Sequence, residues 1–500
     1  MNIKTTLNVS MVVLCLLLPR PVFSVAAAPQ GGDSAVLQVR GGQKQVRPTF
    51  AAGTFYPADR EALDETIKTL LTKDKPLGIR NTRAIVVPHA GYVYSGEVAA
   101  QSFREVGKDF RRVFLIASNH SGKVDLRGIS IPAVTHYAIP GTEIPLSSVA
   151  DEIMKQDFAG SIPEAHTMHM LEIELPFLYH LNGYPDQPGF SIIPIIVGIM
   201  DPQMIKRFAT LLGDYQDDNT LFVFSIDLSH FYPEAKADEL DRYAIESVMS
   251  RDAQAVLGAV TDGNQVLATL IEMAQINNWQ PSFLMHRTSG YASSNKASVV
   301  GYTSIVFHDP LSLNDGEKKT LLDYARNVVS MAAAHGEAPA LSPQVIAAYP
   351  LFNVQRASFV TLKKNGALRG CIGNLFPQGS LHEAVKSGAF NAALNDHRFK
   401  PVTTDELKDI KISISILDYP QRVVVSDPKE YLTLLEPLKD GVIIKYNGKS
   451  STYLPQVWED ITQPNQFLGS LCEKQGSPAH CWQDKEARLF KYKASVFGEE

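Results

Sequence analysis

Three apolar runs that each end in histidine constrain this chain more than any other feature. "AIVVPH" closes at His89, "RVFLIASNH" at His120 and "LFVFSIDLSH" at His230. All three are rich in Val, Ile, Leu and Phe and lack the polar alternation of a strand with one wet face. Such runs suit strands covered on both sides, as parallel strands are in α/β sheets. Helical patterns lie between them, including "DREALDETIKTLL" and "DPQMIKRFATLLGDY". In an open α/β sheet, ligands bind beyond the carboxyl ends of the strands. This reading gathers His89, His120 and His230 on one edge, and the glycines of "HAGYVYSG" let other groups come close. Imidazole suits iron, zinc and copper, and it is also an acid–base group near neutral pH. The sequence leaves ligand and base open.

A fourth stretch, "EAHTMHMLEIELPFL" (164–178), sets His166 and His169 three apart, and His169 and Glu172 three apart. Pro176 fits best in the first turn of a helix that starts near Leu171. His169 then lies at the helix mouth and Glu172 in the first turn, where a carboxylate is favoured. Alone, this reads as a capped helix with a surface histidine; beside three other histidines it reads as a wall of the same site.

A chain of 500 residues is too long for one ordinary core, so two domains are expected. A net charge of −6 lends no support to a nucleic-acid or membrane-surface partner. No apolar stretch in the body of the chain is long enough to span a bilayer. At the start, Lys4, an apolar block from about Val9 to Leu18 and small residues up to Ala28 follow each other as in a secretory signal. Residues 1–28 are read as that signal and 29–46 as a flexible lead-in, giving an exported protein with no integral membrane segment after cleavage. Cytoplasmic residence is the alternative should the segment not act as a signal. The remaining cysteines are Cys371, Cys472 and Cys481. In an oxidising compartment the last two are able to pair, and two buried thiols are an equal alternative.

Turn residues from His308 to Asn314 mark a boundary, so the first domain is read as 47–308 and the second as 311–500. "GEKKTLLDYARNVVSMAAAH" opens the second with an amphipathic helix, Leu321, Leu322, Ala325, Val328 and Val329 recurring at helical spacing. Asn365-Gly366 and Asn447-Gly448 are hairpin signals, and "DIKISISIL" alternates as a half-exposed antiparallel strand should. This half is α+β. In "RGCIG", Cys371 sits between glycines and two residues from Arg369. A thiol near a guanidinium is open to activation, but no histidine stands beside it, and close backbone packing at the glycines is the stronger reading.

The ordered set "AGTFYPADREAL", "VVPHAGYVYSG", "ASNHSG", "HMLEIELPFL", "SIDLSHF" and "RTSGYASSNKASVVGYTSIVF", from about Arg47 to Phe307, resembles the Memo family, AmmeMemoRadiSam system protein B. The resemblance implies an α/β fold similar to class III extradiol dioxygenases, which hold Fe(II) with two histidines and a carboxylate. By position it implies His89 and His120 as metal ligands, His230 as third ligand or acid–base group, and His169 in the same pocket, beside Glu172, which the spacing above adds to that wall. A late cysteine or glutamate completes the site in related proteins. Here "HRTSGYASSNKAS" has neither, which leaves His230, Asp227 or water for the third position. The block "FVTLKKNGALRGCIGNLFP", "DHRFKPVTTDELKDIKISISIL" and "GVIIKYNGKSSTYLPQVWED" resembles the AMMECR domain, AmmeMemoRadiSam system protein A, over about 311–496. There it implies a site at Arg369 and Cys371. Together these imply a fusion that binds a divalent transition metal, iron first and copper or zinc as alternatives. Its activity would be redox or hydrolytic on a small-molecule or protein substrate, with a functional link to a radical-SAM protein. The alternative is a metal-handling or binding protein that keeps the fold without turnover.

Overall fold

The computed structural model describes residues 39–122 and 124–499; the expected signal segment lies outside them. The three histidine-terminated runs form strands Thr82–Val87, Arg112–Ser118 and Thr220–Ser225, and a fourth fully buried strand, Ser191–Val197, joins them. All four run parallel, in the order 82–87, 220–225, 112–118, 191–197, at the centre of a nine-stranded sheet. Antiparallel pairing is confined to the flanks, where Val299–His308 lies beside Thr82–Val87.

The unbroken hydrophobicity of these strands has a direct explanation. Ile85, Val87, Leu115, Ala117 and Val223 enter one apolar cluster, whereas Ala84, Val86, Phe114, Ile116, Phe222 and Phe224 enter another on the opposite face. With side chains alternating between faces and both faces dry, no position is left for a polar residue. Helices cover the faces as the sequence predicts: Arg60–Thr72 is capped by the Asp59 carboxylate and Pro202–Gly213 by that of Asp201.

The second half begins with helix Asp315–His335. Asn314 and Glu317 form a capping box at its start, and Gly336, at φ 70°, ends it. Two four-stranded sheets follow. Both predicted hairpins form, with Asn365-Gly366 and Asn447-Gly448 at positive φ as a two-residue turn requires. "DIKISISIL" is antiparallel as expected, lying between Ala357–Lys364 and Ala494–Gly498, but strand Ile410–Leu417 is more deeply buried than its alternation suggests: its isoleucines enter the main apolar cluster and Leu417 enters another, with Ile443 and Tyr492.

The two halves share one core. Leu321, Val328, Val360 and Ile412 belong to the same apolar cluster as Ile85 and Leu115. Buried Arg356 reaches across to His308 Nε2 (2.9 Å) and Ser282 Oγ (2.8 Å), and buried Arg251 reaches the Tyr419 carbonyl (2.9 Å). Cys472 and Cys481 are joined in a disulfide. Among the described residues no helix is long and apolar enough to cross a membrane.

Candidate metal centre

Each of the three adjacent central strands places a polar side chain two residues beyond its carboxyl end: His89 after Val87, Asp227 after Ser225 and His120 after Ser118. Parallel register brings the three ends level, so these side chains meet. The His89 and His120 rings stand edge to face with centroids 4.9 Å apart, and the His169 ring lies 5.6 Å from that of His89. His230 follows at the start of a short edge strand whose next residue, Phe231, takes φ 64°. A positive φ is strained for a bulky side chain, and such strain gathers at functional sites.

The residue that completes the cluster is Asp262, which sequence reasoning missed. One of its oxygens, Oδ2, lies 3.1 Å from His89 Nε2 and 3.1 Å from His120 Nε2. Its other oxygen accepts from the Asp227 amide (3.0 Å), and its own amide donates to the Asp227 carbonyl (3.2 Å). The turn that carries Asp262 packs tightly: a Cβ on Gly263 would fall 2.4 Å from Ile226 Cγ2. Two sets of donor atoms result, each within 4.8 Å: His89, His120 and Asp262, and Asp227, His230 and Asp262.

The hydrogen bonds behind the rings fix which nitrogen faces inward. His120 Nδ1 lies 3.1 Å from the Ser118 carbonyl and His230 Nδ1 2.9 Å from the Leu228 carbonyl. A carbonyl only accepts, so Nδ1 donates in both rings and Nε2 is the nitrogen turned toward the cluster. At His89, Nδ1 lies 3.2 Å from Ser225 Oγ, whose single proton goes to the Met170 carbonyl (2.8 Å) or Glu174 (2.9 Å). Ser225 therefore accepts from His89, and the third Nε2 is likewise directed into the cluster. Backing interactions of this kind orient metal-ligating histidines.

The buried carboxylates dominate the electrostatics of the cluster. Burial alone would lower the His89 pKa, but the Asp227 and Asp262 carboxylates outweigh it and raise it to about 9. Burial works against ionisation of Asp262 too, yet His89 and His120 hold its carboxyl well below the usual range. Burial raises Asp227, and it raises Glu174 to about 8. At His169, burial and then the charges of His89 and His120 lower the pKa to about 3, so this ring is a neutral wall, stacked on Phe55 at 3.9 Å.

Glu172 is placed elsewhere. Its two oxygens accept from Arg47 Nη1 (2.7 Å), the amides of Phe50 (2.8 Å) and Ala51 (2.9 Å), and the Tyr56 hydroxyl (2.7 Å). These contacts saturate a fully buried carboxylate, which anchors the segment before the first helix; it is Glu174 that stands behind His89. His166 is also apart, between Ser130 Oγ (3.1 Å) and the Tyr137 hydroxyl (3.1 Å). In the second half, Arg369 pairs with Glu406 (3.0 Å), and Cys371 is half-buried with its thiol 3.3 Å from Thr361 Oγ1. The flanking glycines of "RGCIG" serve close packing: a Cβ on Gly370 would lie 2.2 Å from the Ala392 carbonyl, and one on Gly373 2.1 Å from that of Ser358.

With this geometry in hand, comparison with known proteins is decisive on family. The profile of the Memo-like protein family matches residues 47–306. The chain belongs to that family. The AMMECR1 profile matches residues 322–497, beginning inside the helix that opens the second half. A MEMO1 family protein of Ignicoccus hospitalis is 27% identical over 289 residues, covering 53% of this chain and 99% of that protein. Another, from Sulfolobus acidocaldarius, is 30% identical, with 53% and 100% covered. For the second half, a protein of Methanothermobacter thermautotrophicus is 34% identical over 199 residues, covering 38% of this chain and 97% of that one. Among solved structures, the uncharacterized protein PH0010 of Pyrococcus horikoshii is 29% identical, with a TM-score of 0.34 over 38% of this chain and 94% of that one. The uncharacterized protein JW3007 of Escherichia coli is 13% identical, with a TM-score of 0.29 over 44% and 99%.

Proposed function

We propose that this Memo-like protein binds one divalent transition metal between His89, His120 and Asp262 and uses it on a substrate admitted at the carboxyl edge of the sheet. The observation that carries this reading is the shared Asp262 oxygen, 3.1 Å from both Nε2 atoms, with both rings fixed from behind. Two imidazoles and one carboxylate with open positions are the donor set of non-haem Fe(II) oxygenases. Iron is therefore the first candidate, with copper or zinc as alternatives, and chemistry of the class III extradiol type is the reaction class this donor set supports. Bound there, such a metal supplies Lewis-acid or redox chemistry. His230, held by Leu228 and adjoining Asp227 and Asp262, is the acid–base group, and His169 lines the pocket as a neutral ring. Domain limits of 47–308 and 311–500 belong to the same reading. So does export, which the Cys472–Cys481 disulfide supports because such bonds persist in oxidising compartments.

The test is metal analysis of anaerobically purified protein. Wild type is expected to carry about one metal per chain. His89→Ala and Asp262→Ala should lose it while keeping a cooperative unfolding transition. Full metal content in either variant would refute the assignment.

A further inference from the structure

We infer a second ligand site, for a nucleoside phosphate, in the cleft between the two halves. It lies apart from the histidine centre and does not depend on the metal reading. The cleft has a volume of about 790 Å³, which falls in the range of roughly 300–1,000 Å³ typical of small-molecule sites. Helix Glu234–Met249 of the first half supplies Tyr243 and Glu246 to one wall; the last sheet of the second half supplies Lys445 and Arg488 to the other.

Lys445 and Arg488 are directly opposite each other on antiparallel strands, so their side chains share one face. Both are exposed, and among the described residues neither pairs with a carboxylate. Like charges facing across a strand pair repel and destabilise it. Among the described residues no carboxylate in the cleft neutralises either charge. Arg422, the third cation there, is already held by the carbonyls of Val423 (2.9 Å) and Leu489 (3.0 Å) and lies 4.0 Å from Asp252. Asp252 itself caps the next helix through the Ala255 amide. The remaining acid, Glu246, is on the far wall and exposed.

Lys445 is held in place by two rings, its Nζ 4.8 Å from the centroid of Phe376 and 5.2 Å from that of Phe490. That holds Lys445 in place beside Arg488 in a cleft whose lining also includes two tyrosines, Tyr243 and Tyr419. Tyr419 lies 5.8 Å from Phe376, and Tyr243, half exposed, faces the same space. A ligand that answers all of these features carries a multivalent anion for Lys445 and Arg488. It also carries a planar ring for the tyrosines and an amino group for Glu246. A nucleoside diphosphate with an amino-bearing base has each part.

The experiment is calorimetric titration of the full chain with ADP, adenosine and pyrophosphate at low ionic strength. ADP should saturate one site per chain with a Kd below 1 mM, and adenosine and pyrophosphate should each bind at least tenfold more weakly. The double variant Lys445→Gln/Arg488→Gln should weaken ADP at least tenfold while the unfolding midpoint stays the same or rises, since the repulsion is removed. Should that variant misfold, Tyr243→Ala, on an exposed helix position, should weaken ADP at least threefold and leave pyrophosphate unchanged. His89→Ala should bind ADP as wild type does, which separates the cleft from the histidine centre. Absence of saturable ADP binding overturns the inference, as does binding that survives loss of both cations or pyrophosphate bound as tightly as ADP.

Discussion

His308 offers a test of how the two halves are held together. Its ring is fully buried where the halves meet. Nδ1 donates to the Asp309 carbonyl, which leaves the Nε2 lone pair to accept from Arg356 (2.9 Å) and Ser282 (2.8 Å). Burial, and then the Arg356 charge, lower the His308 pKa from 6.5 to about 3. The unfolded chain therefore binds a proton between pH 6.5 and 3 that the folded chain refuses. Stability is complete above pH 6.5 and is lost progressively as pH falls toward 3. With those two values, the loss from this one ring between pH 7 and pH 5 is about 2 kcal/mol. His308→Gln puts a neutral acceptor at the Nε2 position and removes the titration. The variant should be less stable than wild type at pH 7, since the bond to Asp309 is gone. Its further loss between pH 7 and pH 5, read from urea unfolding at each pH, should be smaller than that of wild type by about 2 kcal/mol. His166 and His169, lowered to about 3 as well, contribute equally to both proteins and cancel in the difference. Equal pH dependence in the two proteins would show that His308 is not a neutral acceptor for Arg356.

Ser225→Ala removes the acceptor behind His89 and leaves buried Glu174 without its hydroxyl partner; metal affinity should fall about 10–100-fold with the ligands intact, as measured by competition with a chelator. Glu172→Gln leaves the buried Arg47 guanidinium without its counter-charge and should destabilise the fold by about 3–5 kcal/mol, while bound metal per folded chain stays unchanged. Loss of metal at unchanged stability would return Glu172 to the site. Reducing Cys472–Cys481, which closes a loop with a sequence separation of 9, should lower stability by about 2–3 kcal/mol in urea unfolding with and without reductant.

The fold and the histidines are legible in the sequence for one physical reason, and the carboxylates are hidden for another. A strand dry on both faces must be apolar at every position. "AIVV", "VFLIA" and "LFVF" therefore announce themselves, and whatever follows such a strand sits on the sheet edge. His89 and His120 fall at that edge because their positions depend only on local chain direction. Asp262 has no such signal. It lies in "VTDGNQ", a string of turn residues at the start of a helix, and its role is set by two backbone bonds to Asp227, 35 residues earlier. The two acids of "LEIEL" show the same limit. Either fits the first turn after His169, and the sequence favours Glu172 by spacing. The structure separates them by partners from far away in the chain: Arg47, 125 positions before Glu172, and Ser225, 51 positions after Glu174. Buried carboxylates are tolerated only where donors or cations meet them, so their placement is a property of the assembled fold. Gly263 is the local trace of that assembly. Its missing Cβ admits the Ile226 side chain and lets the Asp262 turn press against the strand end that carries Asp227. A glycine directly after an acid, in a loop facing the carboxyl edge of a parallel sheet, is thus the sequence pattern by which a buried carboxylate of this kind is to be sought.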